Sequence, residues 1–95
     1  MKTREFDAAR YLKNDEMMIA FLADMLENGT QQDFINALNT VARAKGMSEI
    51  ASKAGIGRES LYKTLTSDKP RFDTIVKIVR ALGGNFTLTR PQASQ

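Results

Sequence analysis

Apolar side chains recur along this chain at three- and four-residue steps, broken by short polar stretches that carry glycine, proline and capping residues. Met18, Phe21, Leu22, Met25 and Leu26 form one such stripe, the spacing of a single helix face. Asn14 or Asp15 can cap this helix, Asp15 and Glu16 suit its dipole, and Asn28-Gly29 stops it. Thr30 can cap a second helix with Phe34, Leu38, Val41 and Ala42 inward, ending at Lys45-Gly46. A short helix capped by Ser48 follows, stopped at Gly55, and another starts near Arg58 with Leu61 and Leu65 inward. After the loop Ser67 to Arg71, where Pro70 fixes the chain, a last helix runs from about Phe72 to Leu82. Its predicted inner face is Phe72, Ile75, Val76, Val79 and Leu82, and Gly83-Gly84 ends it. Asn85 to Thr89 alternates polar and apolar, a short strand signal. A lone strand needs a partner edge, which a second copy or another protein could supply. Without one the segment is an extended tail, and both readings stay open. The pattern predicts an all-α fold of five helices in a single domain over 1–95. An N-terminal arm and helix occupy 1–29, a helical core 30–84, and a C-terminal strand or tail 85–95.

The stretch from Met47 to Leu65 organises the rest. Ala51 falls mid-helix, where two crossing helices approach too closely for a large side chain. Gly55 tolerates the left-handed conformation of a tight exit, and Ile56 plugs the corner. Ile50, Ala54, Ile56, Leu61 and Leu65 form one predicted seam, while Arg58, Glu59, Tyr62, Lys63 and Thr66 leave the opposite face polar. This is the form of a helix-turn-helix whose second helix enters a DNA groove. The plainer alternative is a pair of packed helices; the combined offsets of alanine, glycine, isoleucine and leucines favour DNA binding. Ser48 at a helix start, and Lys69 and Arg71 in the later loop, are candidate phosphate contacts.

Charge sharpens the picture. The 95-residue chain has a formal net charge of only +3, but residues 1–40 hold four cations against seven anions. Residues 41–80, which contain the predicted motif, hold nine cations against four anions. Phosphate binding follows such local charge.

Composition removes other chemistries. There is no cysteine and no histidine, hence no thiolate, no disulfide and neither the commonest general base nor the commonest metal ligand. Gly55-Ile56-Gly57 lacks the preceding strand and the lysine of a phosphate-cradling loop. No enzyme activity, cofactor or metal is expected. With no apolar run near the ~20 residues of a membrane helix and no signal core after Met1 to Glu5, a cytoplasmic protein is expected. Phe6, Tyr11 and Leu12 are apolar anchors in the N-terminal arm, for packing or for docking another chain. Met17, Met18 and Met25 are core or an adaptable binding face.

Together these residues resemble the small addiction-module antidote proteins, the HigA-like antitoxins with a phage-repressor-like (XRE/Cro-type) helix-turn-helix. The resemblance runs from Phe6 to Leu12, from Ala37 to Ser48, from Gly55 to Leu65 and from Phe72 to Gly83. Its most specific piece is Arg58-Glu59-Ser60-Leu61-Tyr62-Lys63. Arg71 departs from the small capping residue expected before the last helix. The resemblance implies a five-helix phage-repressor-like domain with its repressor core over 30–84. It implies the antitoxin of a type II toxin–antitoxin module, a homodimer that binds operator DNA, represses its own operon and holds a small basic RelE-like toxin inactive. The alternative is a stand-alone phage-type repressor without a toxin; a third reading is a helical adaptor that binds protein through the methionines. By carry-over from the motif, Arg58, Glu59 and Lys63 reach base edges. Tyr62 touches a thymine methyl or a phosphate, and Gly57 completes the DNA-binding set.

Overall fold

The computed structural model describes residues 14–91. Among these residues there are five helices and no strand: α1 (Asp15–Asn28), α2 (Gln31–Lys45), α3 (Met47–Ala54), α4 (Arg58–Leu65) and α5 (Phe72–Ala81). The all-α expectation holds for them. The arm residues Phe6, Tyr11 and Leu12 lie outside the described residues.

Local chemistry sets the helix starts. Asn14, in extended conformation, caps α1 by accepting the Met17 N–H at 2.8 Å through its side-chain oxygen. Thr30 caps α2 in a reciprocal box: its hydroxyl accepts the Asp33 N–H at 3.0 Å, and the Asp33 carboxylate accepts the Thr30 N–H at 2.9 Å. Ser48 does not cap α3, contrary to the sequence reading. That helix already begins at Met47, with a single residue between it and the end of α2, so Gly46 serves both ends and leaves no place for a capping side chain. Gly46 donates its N–H to the Ala42 carbonyl at 2.8 Å and accepts the Ile50 N–H at 3.0 Å. Its φ of 112° is reached readily only by glycine.

The buried side chains form one cluster, with Leu38, Val41, Ile50, Leu61, Leu65, Ile78 and Leu82 sealed from solvent. Helix α2 packs against α1, α3 and α4, and α3 packs against α2, α4 and α5. Having neighbours on three sides, α2 buries Ile35 and Ala37 beside the expected Phe34, Leu38, Val41 and Ala42. The α1–α2 pair is pinned at one end by Lys45 Nζ on Asp15 Oδ1 at 2.9 Å. That contact raises the Lys45 pKa and lowers that of Asp15, each chiefly through the shared hydrogen bond.

Several predicted inward positions differ. Phe72 is 71% exposed, whereas Ile78, absent from the predicted face, is fully buried. Helix α5 carries apolar residues over a broad arc, and the core takes Ile75, Ile78 and Val79 with Leu82. Leu26 is 52% exposed on the outer edge of α1. Of the methionines, Met18 is core and Met25 packs against it, leaving Met17 outside. Residues Asn85 to Thr89 form no strand. With no partner edge among the described residues, Phe86 folds back as a hydrophobic anchor, its ring centroid 6.1 Å from Phe34 and 5.9 Å from Phe72.

Candidate nucleic-acid interface

The candidate site is built on the corner between α3 and α4. Gly55 takes the left-handed conformation (φ 72°, ψ 32°). Its N–H donates to the Ser52 carbonyl at 3.1 Å, and the Ile56 N–H donates back to the Ala51 carbonyl at 3.0 Å. This paired closure ends α3 and turns the chain sharply. Ile56 packs against the core beneath the corner, and Ala51 is buried where α3 meets its neighbours. Ala54 is only half-buried, so it stands at the margin of the predicted seam.

Helix α4 then presents two faces. Leu61 and Leu65 are buried, which fixes the rotation of the helix about its own axis. Arg58, Glu59, Tyr62 and Lys63 consequently stand outward, and Tyr62 is 46% exposed despite its ring. Among the described residues, no ion pair engages Arg58, Glu59 or Lys63. Gly57 leads into the helix in extended conformation (φ −70°, ψ 154°), and no side chain caps the first turn. The orphan N–H groups of that turn are directed out of the helix end, a position suited to an anion. At the other end the Thr66 hydroxyl donates to the Tyr62 carbonyl at 2.8 Å.

The other predicted contacts lie on separate elements. Ser48 is exposed in the first turn of α3. Lys69 is exposed in the α4–α5 loop, where its N–H donates to Ser67 Oγ at 3.0 Å. The Gln31 side chain donates to the Asp68 carbonyl at 3.4 Å and ties this loop to the start of α2. Arg71 is locally engaged: its Nε and a terminal nitrogen each lie 3.1 Å from an oxygen of Asp73. The guanidinium holds the Asp73 carboxyl down at about 2, chiefly by hydrogen bonding, and its own pKa is raised in return. A phosphate reaching Arg71 would share it with Asp73. Helix α5 starts from Arg71 without a side-chain cap, in keeping with the missing small residue noted in the sequence.

A second cationic feature was not singled out by sequence reasoning. Lys45, Lys53, Lys77 and Arg80 line a cleft of about 450 Å³ with Asp15. Lys77 and Arg80 are one helical turn apart on α5, a spacing that could have flagged them; their proximity to Lys45 and Lys53 required the fold. All four lie in or near the C-terminal turns of their helices, where cations offset the dipole.

No helix among the described residues is long and apolar enough to cross a membrane. No solved structure matches the chain. A protein of Haemophilus influenzae, itself described only as an uncharacterized protein, is 38% identical over 84 residues, 87% of this chain and 87% of its own. Residues 2–90 match a family described as probable addiction module antidote protein. With nearly the whole sequence matched, the chain belongs to that family of addiction-module antidotes.

Proposed function

We propose that the protein is the antitoxin of a type II toxin–antitoxin module, a dimeric repressor of its own operon that neutralises a small basic RelE-like toxin. One observation carries the DNA-binding part: α4 stands on buried leucines with Arg58, Glu59, Tyr62 and Lys63 outward and unpaired by ions, behind a glycine-closed corner. In this reading α3 and α4 are a phage-repressor-like helix-turn-helix. Arg58 forks onto a guanine, Glu59 accepts from a cytosine amine and Lys63 reaches guanine acceptors. Tyr62 meets a thymine methyl or a phosphate. Gly57 leaves the helix end open to a phosphate: beyond its chain neighbours, nothing stands within 4 Å of where a Cβ would be. Ser48, Lys69 and Arg71 grip the backbone on either side.

A single such helix reads too few base pairs for a unique operator, so a two-fold dimer on half-sites roughly 34–36 Å apart follows. Phe72 and Leu88, 71% and 98% exposed around the inward Phe86, are the apolar area a second copy would cover. Binding is tested by gel shift on the DNA upstream of the gene. Arg58→Ala should weaken it by about 1–3 kcal/mol and relax sequence preference; unchanged affinity and preference would remove the assignment. Phe72→Asp should shift the protein toward monomer in sedimentation. DNA binding without rescue of cells from the neighbouring gene's product would leave the stand-alone repressor.

A further inference from the structure

We infer that the groove between α1 and the C-terminal segment is the surface on which a partner protein docks a cationic amphipathic helix. The partner's identity rests on the antitoxin reading, in which the occupant belongs to the toxin. The groove encloses about 410 Å³ and its apolar lining includes Ile19, Leu22, Leu26, Phe34 and Phe86. Leu26 is half out of the core on this side, and Asn85, Thr87 and Thr89 form a neutral opposite wall.

Charge selects the occupant. From Asn14 to Ala42 the chain carries Asp15, Glu16, Asp24, Glu27 and Asp33 and not one lysine or arginine. Glu16, Ala20, Ala23 and Glu27 follow at steps of four, three and four, which aligns them in a single row on α1. All four are exposed, and Ala23 and Glu27 line the groove itself. The row has small side chains at its middle, where another helix can approach closely, and a carboxylate at each end. Eleven residues separate the two carboxylates, about 16 Å along the axis. A helix seated in the groove and continuing along this edge of α1 to Glu16 would match the row with two cations at that separation and apolar side chains between. A second copy fits poorly, because a two-fold contact through this face sets like-charged rows against each other. The surface is also remote in kind from α4, whose outward face carries Arg58 and Lys63.

The test is a titration of the ¹⁵N-labelled full chain with a synthetic Leu/Lys amphipathic helix and its Leu/Glu counterpart. The Leu/Lys peptide should move the amides of Ile19, Ala23, Leu26 and Phe86 and leave those of Arg58, Tyr62 and Lys63 in place. Glu16→Lys with Glu27→Lys should weaken that peptide by about tenfold or more and reverse the preference toward the Leu/Glu peptide. Equal affinity for both peptides, or shifts confined to other faces, overturns the proposal. Amides of Ile19, Ala23 and Leu26 on α1, away from the dimer contact proposed around Phe72 and Leu88, that move with protein concentration would assign the surface to a second copy. Groove amides that move on Phe6→Ser would assign it to the chain's own residues 1–13, which carry four cations; either result overturns it too. Gel shifts of the unaltered protein on upstream DNA, from the same preparation, test the repressor reading separately.

Discussion

Three glycines around α3 offer a sharp test, because the structure assigns them different roles. Gly46 and Gly55 hold positive φ of 112° and 72°, whereas Gly57 is extended. Steric crowding does not distinguish them: an added Cβ meets nothing within 4 Å at Gly55 or Gly57, and only Glu49 Cβ at 3.9 Å at Gly46. Alanine therefore reports backbone conformation and capping, not a clash. A left-handed alanine costs about 1–2 kcal/mol, and the stiffer unfolded chain returns about 0.4–1 kcal/mol, so Gly55→Ala should lose roughly 1 kcal/mol. Gly46 lies outside the left-handed helical region, where strain is of order 1–3 kcal/mol, and after the same return Gly46→Ala should lose roughly 1.5 kcal/mol. At Gly57 the unfolded-state gain is offset by alanine's poorer capping, leaving a net within about 0.5 kcal/mol of zero. Urea unfolding followed by circular dichroism gives the midpoints, and the thermal midpoint of Gly46→Ala should fall by about 10 °C. A Gly57→Ala protein as destabilised as Gly46→Ala, or a Gly46→Ala protein with an unchanged midpoint, would refute the reasoning.

Other outcomes follow from the same geometry. Lys69→Ala should weaken binding to all DNA sequences nearly equally and reduce the slope of log affinity against log salt by about one; a slope as steep as the parent's counts against a phosphate contact. Ile78→Ala, at a site with no solvent exposure, should cost about 2–5 kcal/mol in urea unfolding. The Asp73 carboxyl is held at about 2, below its ordinary 3.8. Its contribution to stability is therefore present above about 3.8 and lost as pH falls through about 2. Asp73→Asn should flatten that part of the acid unfolding curve, and a curve identical to the parent's would contradict it.

The helices and most of their boundaries were legible, because capping residues and apolar spacing act over a few residues. Asn14 and Thr30 cap as their side chains predict, and the polar face of α4 could be read directly from Arg58 to Thr66. What was not legible depended on neighbours. The apolar arc of α5 is wider than one stripe, and only packing decides that Ile78 enters the core while Phe72 stays out. Ser48 had the right chemistry for a cap, but the one-residue link at Gly46 leaves it inside the helix. Phe86 sits in a segment with strand-like alternation, yet its ring finds Phe34 across the fold, a contact that separation in sequence conceals. The α1 groove was invisible for the same reason, since its two walls come from opposite ends of the described chain.

The single-residue joint at Gly46 has a mechanical meaning. Two helices joined without slack behave as a bent rod whose angle rests on two dihedrals. Helix α3 has eight residues and is about 12 Å long, so a tilt of roughly 10° at Gly46 displaces its far end by about 2 Å. Helix α4 is joined to that end by the fixed corner at Gly55, while its contact with α2 and its buried Leu61 and Leu65 resist the displacement. Hydrogen bonds tolerate only a few tenths of an ångström. The direction of α4 thus depends on a distant glycine as well as on its own packing, and a substitution at Gly46 sets the backbone of the joint against the seating of Leu61 and Leu65.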